Sequence, residues 1–220
     1  MQRNILSFIL LLLLTTYGFA QVRKKVEVLP SPVTIDNQQY QVLAKDKSSE
    51  NLTNMIVQSK DKKPQHAVQF TSGENSVTIL SSTLNRHTQQ LESTYQQKYI
   101  AQHLSQLSFS IVQNTNKPEK IIYAFVDPNC GYCNRLEAAV KNKANHSKFT
   151  FKFIPVGVIT NKSPQEIADV VNLKHSTSFT AQEINKNTKI FIHAMLRGTP
   201  TCFQPNRSQP GTLFKINCFK

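Results

Sequence analysis

Residues 121–133 read IIYAFVDPNCGYC, an apolar run that leads directly into two cysteines separated by two residues. A helix-compatible segment, residues 134–140, follows at once. Cys130 would then lie where the free backbone amides of a helix N-terminus point and where the helix dipole favours negative charge. This placement lowers a thiol pKa and raises the fraction of thiolate, which is the reactive nucleophile. The order strand, turn, Cys-x-x-Cys and helix therefore predicts thiol–disulfide chemistry.

The Cys-x-x-Cys pair allows three interpretations: half of a zinc site, an inert structural disulfide, or a redox-active dithiol. A zinc site needs a second pair at similar spacing, whereas Cys202 and Cys218 have 15 residues between them. A disulfide across two residues at a helix start is strained and exposed, which argues against a permanent one. We predict a dithiol in which Cys130 attacks and Cys133 resolves the mixed disulfide, with no metal and no cofactor.

A second candidate element of the site is Gly198-Thr199-Pro200, which lies between a predicted helix end and a predicted strand. A cis peptide bond before the proline would expose backbone groups with which an extended client could pair. The alternative is a trans proline that only ends the helix; downstream of a redox Cys-x-x-Cys in this order, we favour the cis form. We predict substrate contacts at Thr199, Pro200, Gly131 and Tyr132.

Cys202 and Cys218 fall on or near the last two predicted strands, 201–203 and 212–218, which are joined by a turn at 204–211. A disulfide between them would close this loop and contribute about 3 kcal/mol in the chain-entropy estimate. The alternative is that one of the two exchanges with Cys130. We favour the structural disulfide.

The segment around the motif adds the elements of an α/β unit. A polar loop or edge strand at 110–120 precedes it, and a strand with period-two alternation, Phe149–Ile154, follows it; a strand–helix–strand unit of this size implies a parallel pair. Ser163 and Thr180 each begin a capping box, which predicts two helix starts. A further helical segment, Ile190–Leu196, is predicted to stop at Gly198.

The N-terminus has the pattern of a secretory signal. Arg3 supplies positive charge, Ile5–Leu14 is a short apolar run, and Gly18 and Ala20 are the small residues of a cleavage site. We predict cleavage before Gln21; the alternative is an uncleaved membrane anchor. In an exported chain all four cysteines can be paired.

Residues 21–81 form a predicted small N-terminal domain, mostly β or α+β, which would bury little apolar surface alone and could therefore dimerise. A connecting helix at 82–108 follows, either holding two domains apart or packing into a core, and a catalytic domain occupies 109–220. Short turn segments, among them 46–49 and 72–75, separate the candidate strands of the N-terminal domain, which are Val26–Leu29, Tyr40–Leu43, Met55–Gln58, Ala67–Phe70 and Val77–Leu80.

Charge and polar residues outside the motif add few sites. The formal net charge is +13, but no basic stripe interleaved with aromatic residues is present, so we expect a solvated basic surface and no nucleic-acid binding. The six histidines show no ligand spacing and are interpreted as surface or ordinary core residues. Asp127 is expected to stabilise the turn before Cys130.

The stretch 125–133 resembles the active-site strand and turn of the thioredoxin superfamily, and within it of the periplasmic DsbC/DsbG disulfide isomerases. Cys130-Gly131-Tyr132-Cys133 is similar to the DsbC side, whereas Val156-Gly157-Val158-Ile159 followed by Ser163-Pro164 is similar to the DsbG side. Gly198-Thr199-Pro200 resembles the loop that carries the family's cis-proline. The resemblance covers residues 121–201 at the level of motifs and the N-terminal region in layout only.

The resemblance implies an α+β fold: a thioredoxin-like domain with a helical insertion, preceded by a small N-terminal domain and a linker helix. It further implies a V-shaped periplasmic homodimer that isomerises or reduces disulfides of misoxidised client proteins and is kept reduced by a membrane thiol reductase. Two alternatives are a non-enzymatic thioredoxin-fold chaperone or assembly subunit of an envelope complex, and a monomeric oxidase.

Overall fold

Two five-stranded sheets and the helices between them form the described part of the chain. In the computed structural model these are residues 31–60, 62–72, 75–81, 86–112, 121–142 and 149–219. The predicted signal at 1–20, its cleavage site and the candidate strand Val26–Leu29 lie outside the described residues. No helix of the described part is long and apolar enough to span a bilayer.

The first sheet is an antiparallel meander in which each strand pairs with the next along the chain. Its buried core includes Tyr40, Val42, Met55, Val57 and Ala67. The four candidate strands within 40–80 are confirmed. The strands are β1 (Val33–Ile35), β2 (Gln38–Ser49), β3 (Leu52–Gln58), β4 (Gln65–Ser72) and β5 (Asn75–Leu80).

Two features of this sheet differ from the prediction. The sequence predicts a turn at Asp46–Ser49, but this segment is the end of β2 and pairs with residues 52–54 of β3. This polar strand end is stable because its backbone pairs with β3 while its exposed side chains stay in water. Strand β1 was not predicted; Asp36 and Asn37, both with positive φ, form the two-residue turn that pairs it with β2.

Helix α1 (Arg86–His103) packs against both sheets, so it is a core-packed helix and does not hold two separate units apart. Leu91 and Tyr95 pack on Ile56 of the first sheet, whereas Ile100 is fully buried in the core of the second. The helix tightens into a 3-10 turn at Leu104–Gln106. The 18 α-helical residues are shorter than the predicted span of 82–108, of which 82–85 lie outside the described residues.

The buried carboxylate of Glu92 on α1 links the first sheet to the segment that precedes β9. Glu92 accepts hydrogen bonds from His66 Nε2 of β4 at 2.9 Å and from Arg197, which precedes the Gly198–Pro200 loop, at 2.6 Å. Gln96, one turn further along α1, donates to Glu92 at 2.9 Å and to the Met195 carbonyl at 3.0 Å. The N-terminal sheet is therefore docked against the segment that leads into the proline loop.

The second sheet has the strand order β10-β9-β7-β8-β6. Strand β7 lies at its centre, parallel to β8 and antiparallel to β9; all but its first residue are buried, as its apolar sequence predicts. The polar segment before it contributes the edge strand β6, and residues 113–120 lie outside the described residues. The strands are β6 (Ser110–Val112), β7 (Ile121–Val126), β8 (Thr150–Pro155), β9 (Thr201–Pro205) and β10 (Leu213–Ile216).

Three helices accompany this sheet: α2 (Gly131–Asn142), α3 (Pro164–Lys174) and α4 (Ala181–His193). Both predicted capping boxes are present at the starts of α3 and α4. The prediction of a separate helical segment at Ile190–Leu196 is wrong. Residues 190–193 are the last turn of α4, and the chain leaves the helix at Met195, whose φ of 56° does not continue it.

The predicted antiparallel pair at the C-terminus is present as β9 and β10. Cys202 and Cys218 form a disulfide with a Cα–Cα distance of 5.4 Å. Cys202 is fully buried in the same apolar cluster as Cys130 and Cys133. The disulfide thus fixes the end of β10 to the strand that follows the proline loop.

Removing this disulfide in the double variant Cys202→Ala, Cys218→Ala should lower the free energy of unfolding by about 3 kcal/mol, because the unfolded chain regains the entropy of an open loop. Urea denaturation followed by circular dichroism measures this difference. An unchanged free energy of unfolding would contradict a stabilising role for the disulfide.

Candidate functional site

The two cysteines of the motif lie at the start of α2, where β7 ends. The Cys130 carbonyl accepts the first helical hydrogen bond from Asn134 N at 3.1 Å, so Cys130 is the N-cap residue. The Cys133 amide points back to Cys130 Sγ at 3.4 Å. Both thiols are free; Cys130 retains 6% of its surface exposed and Cys133 none. Only Cys130 is accessible to another molecule.

The surroundings shift the pKa values of these thiols in opposite directions. Burial by itself disfavours the Cys130 thiolate, but the side chains of Cys133 and Thr199 and the amides of Cys133 and Tyr132 stabilise it, and the pKa of Cys130 is held below its ordinary value. Burial, with the hydrogen bond to Cys130, raises the pKa of Cys133 to about 12. The thiolate therefore forms more readily at Cys130 than at Cys133, and Cys133 keeps its proton at neutral pH.

The loop before β9 forms the opposite side of the site. The peptide bond between Thr199 and Pro200 is cis. Strand β9 pairs with β7 so that Thr201 lies beside Phe125, which brings the loop next to the end of β7. The Cys130 thiol donates to the Thr199 carbonyl at 3.2 Å. The two sequence-predicted elements of the site are thus in direct contact.

Asp127 fixes the turn between β7 and α2. One carboxylate oxygen accepts hydrogen bonds from the Asn129 amide at 2.8 Å and the Asn129 side chain at 3.2 Å. The other accepts from the amides of Val158 and Ile159 at 2.7 and 3.0 Å. The Asp127 carbonyl also accepts from the Cys130 amide at 2.9 Å. Asp127 therefore does more than stabilise its own turn, because it also binds the segment that follows β8.

Gly131 and Tyr132, the residues between the cysteines, lie at the mouth of the site. Tyr132 is 62% exposed, and the Arg135 guanidinium lies 4.2 Å from the centre of its ring. A Cβ atom placed on Gly131 would meet no other group within 4 Å, so packing does not require glycine there. Both positions are open to an incoming molecule.

A cleft of about 920 Å³ opens beside Cys130. The residues that line it include 129–132 and Arg197–Thr199, together with Lys63 and Pro64 from the connection between β3 and β4. Its floor is largely apolar and comprises Val158, Ile159, Phe191, Ile192, Met195 and Leu196. The N-terminal sheet thus contributes one wall of the cleft that contains the reactive thiol.

Several of these contacts cannot be predicted from local sequence patterns. The sequence assigns His66 no particular role, yet it binds Glu92, and His175 pairs with Glu137 at 3.5 Å, with all four side chains buried. These partners are far apart in the chain, so no local pattern marks them. The available sequence signal for the wider role of Asp127 is an Asp directly after an apolar run typical of a central strand, because a carboxylate buried there needs hydrogen-bond partners.

Comparisons with known proteins support the fold. Residues 105–209 match the family model for a thioredoxin-like domain, which confirms the predicted thioredoxin superfamily resemblance for this part of the chain. The comparison with curated proteins finds no significant match.

Three solved structures are similar to parts of the chain. A linker-deletion mutant of ScsC from Proteus mirabilis, which also carries a point substitution, is 12% identical, with 59% of this chain and 79% of that chain covered and a TM-score of 0.41. DsbG from Helicobacter pylori is 18% identical, with 77% and 95% covered and a TM-score of 0.36. The thiol-disulfide exchange protein alpha-DsbA2 from Wolbachia pipientis is 16% identical, with 61% and 94% covered and a TM-score of 0.40.

Alkylation of the reduced protein should modify Cys130 with a midpoint at a lower pH than an ordinary thiol shows, because the thiolate fraction rises as pH rises through the lowered pKa. Cys133 should stay unmodified between pH 5 and about 9, since its pKa is about 12 and its thiol is buried. Iodoacetamide labelling followed by peptide mass spectrometry measures both rates. Equal labelling of the two cysteines would contradict the assignment.

Asp127→Asn should lower the free energy of unfolding by about 2–3 kcal/mol. All four groups that face the carboxylate are N–H donors. In either orientation, the side-chain amide of the variant would direct its own NH₂ donor at two of these donors and lose both hydrogen bonds. Asp169→Asn is the matched control, because Asp169 is exposed and its described contact is a hydrogen bond from Gln165 at 2.8 Å on the same helix. Equal urea midpoints for the two variants would refute the role of Asp127.

Proposed function

We propose that this chain, whose residues 105–209 form a thioredoxin-like domain, is a thiol–disulfide oxidoreductase that acts on exported client proteins through Cys130 and Cys133. The observation that carries the proposal is the difference between the two thiols: the pKa of Cys130 is lowered and that of Cys133 is raised to about 12. A dithiol that only stabilised the fold would not need one activated sulfur facing an open cleft.

Exchange begins with attack by the Cys130 thiolate on one sulfur of a client disulfide. A bond forms between Cys130 Sγ and that sulfur, the client disulfide breaks, and the second client sulfur leaves as a thiolate. In reduction, Cys133 loses its proton and attacks Cys130 Sγ, so the Cys130–Cys133 disulfide forms and the client keeps two electrons as two thiols. In isomerisation, a client thiolate attacks the client sulfur bound to Cys130 and releases Cys130 without net oxidation.

We favour isomerisation as the main outcome, with reduction as the accompanying reaction. Because the pKa of Cys133 is raised to about 12, few Cys133 thiolates are present at neutral pH. Slow attack by Cys133 prolongs the mixed disulfide, which gives the client's own thiolate time to resolve it. The reduction route leaves the pair oxidised, and a membrane thiol reductase would return the two electrons.

The proposed setting is the periplasm, reached through a cleaved signal at residues 1–20, with the chain as a homodimer joined through its N-terminal domain at 21–81. The signal-like sequence pattern supports export. Phe70, Val77 and Ile79 support association, since they are neighbours on β4 and β5 and remain 51%, 62% and 47% exposed. An apolar group of this kind on a sheet edge favours burial against another surface.

Cys133→Ala should accumulate mixed disulfides between Cys130 and client proteins, because the resolving thiol is absent. Cys130→Ser should abolish both these adducts and the isomerisation of a scrambled disulfide substrate, a loss of more than about 100-fold since the attacking thiolate is removed. Non-reducing electrophoresis and refolding assays measure the two effects. Retained isomerisation in Cys130→Ser, or no adducts in Cys133→Ala, would instead favour a non-enzymatic chaperone or assembly subunit.

A further inference from the structure

We propose that the cleft beside Cys130 selects client segments that carry acidic side chains next to the reactive disulfide, and that Lys63 of the N-terminal sheet contributes to this selection. The inference rests on the proposed function, because it names the class of substrate that the same thiol would attack. The supporting observations are the position of Lys63, the cationic residues around the cleft and the apolar residues that line it.

The connection between β3 and β4, which carries Lys63, has hydrogen bonds within it and a contact with the end of α4. Within the connection between β3 and β4, the Lys62 amide donates to the Ser59 carbonyl at 3.2 Å, and Gln58 donates its side-chain amide to the Lys62 carbonyl. Gln58 also lies 3.5 Å from His193 Nδ1 at the end of α4. Pro64 is buried beside Lys63. The connection thereby contacts the end of α4, and Lys63 lines the cleft.

Among the described residues that line the cleft, the charged ones are cationic. Lys63 and Arg197 both line it, and none of the described lining residues is Asp or Glu. Lys162 reaches the lining residue Asn129 at 3.3 Å. Arg135, over the Tyr132 ring, adds a fourth positive charge near the mouth.

The nearest carboxylates with assigned contacts face other partners. Glu92 binds Arg197 from the side of α1 and offsets part of its charge, but the Arg197 side chain remains 58% exposed. Asp127 directs its carboxylate to backbone amides and is fully buried. The exposed side chain of Lys63 has no such carboxylate partner among the described contacts. The cleft therefore presents net positive charge to an incoming segment.

The floor of the cleft adds an apolar surface to this charge. Ile159 and Ile192 are 51% and 40% exposed there, which is high for isoleucine in a folded domain. A segment that matches both features is extended, with apolar residues against the floor and Asp or Glu residues toward Lys63 and Arg197. A cleft with low-dielectric walls and charge of one sign concentrates partners of opposite charge and speeds their association.

Two disulfide-bonded peptides of equal length test this selection. They share one cysteine pair and one apolar residue pattern and differ only in four flanking positions, which are Asp and Glu in one peptide and Lys in the other. Because the chain has no tryptophan, oxidation of the reduced mature protein is followed by acid quenching, thiol labelling and mass spectrometry. Each rate is divided by the rate of the same peptide with dithiothreitol, which removes differences in the peptides' own reactivity.

We expect the normalised rate of the acidic peptide to exceed that of the basic one about 10-fold at low salt, and this preference to fall to about 2-fold at 0.5 M salt as screening increases. Lys63→Glu should reduce the low-salt preference at least about 3-fold, and Lys63→Ala should give an intermediate value. Lys45→Glu makes the same change of charge on exposed β2 of the same sheet, outside the cleft, and should keep the wild-type preference.

The outcomes separate this inference from the proposed function. Reaction of wild-type protein with neither peptide would overturn the proposed function itself. Equal normalised rates for both peptides, or a preference that Lys63→Glu and Lys45→Glu change to the same degree, would overturn the cleft's selection for acidic segments while leaving the thiol chemistry in place.

Discussion

The buried carboxylate of Asp127 is the constraint on which the site depends. It joins the end of β7 to the segment after β8 through the amides of Val158 and Ile159, and its own carbonyl accepts from the Cys130 amide. A carboxylate without partners in this position would cost several kcal/mol, so the two segments must stay together for the domain to be stable. The same bonds that satisfy Asp127 therefore place Cys130 at the start of α2.

The chemistry follows from what surrounds that position. Amides at the helix start and the Cys133 thiol stabilise a thiolate at Cys130, while full burial keeps Cys133 protonated. The loop before β9 holds the Thr199 carbonyl 3.2 Å from Cys130 Sγ, and a cleft opens beside Cys130. The N-terminal sheet takes part through His66, which pairs with Glu92 of α1, and Glu92 in turn binds Arg197 just before that loop.

Local patterns in the sequence predicted most elements of the thioredoxin-like domain, although not the end of α4, where a separate helical segment was expected. The apolar run of β7, the cysteine spacing and the capping boxes at Ser163 and Thr180 each report on neighbouring residues, and each predicted the element that the structure contains. The other failures concern contacts between distant residues. The polar end of β2 is a strand because of its pairing with β3. The docking of α1 depends on Glu92, which binds His66, 26 residues away in the sequence, and Arg197, 105 residues away.

Redox titration in glutathione buffers is the most direct test of whether Cys130 and Cys133 form a redox-active dithiol. Thiol trapping and peptide mass spectrometry would follow both cysteine pairs at each ratio of oxidised to reduced glutathione. We predict one reversible two-electron transition in which Cys130 and Cys133 convert between dithiol and disulfide while Cys202 and Cys218 stay bonded to each other. Failure of Cys130 and Cys133 to form a reversible disulfide in the folded protein would contradict it.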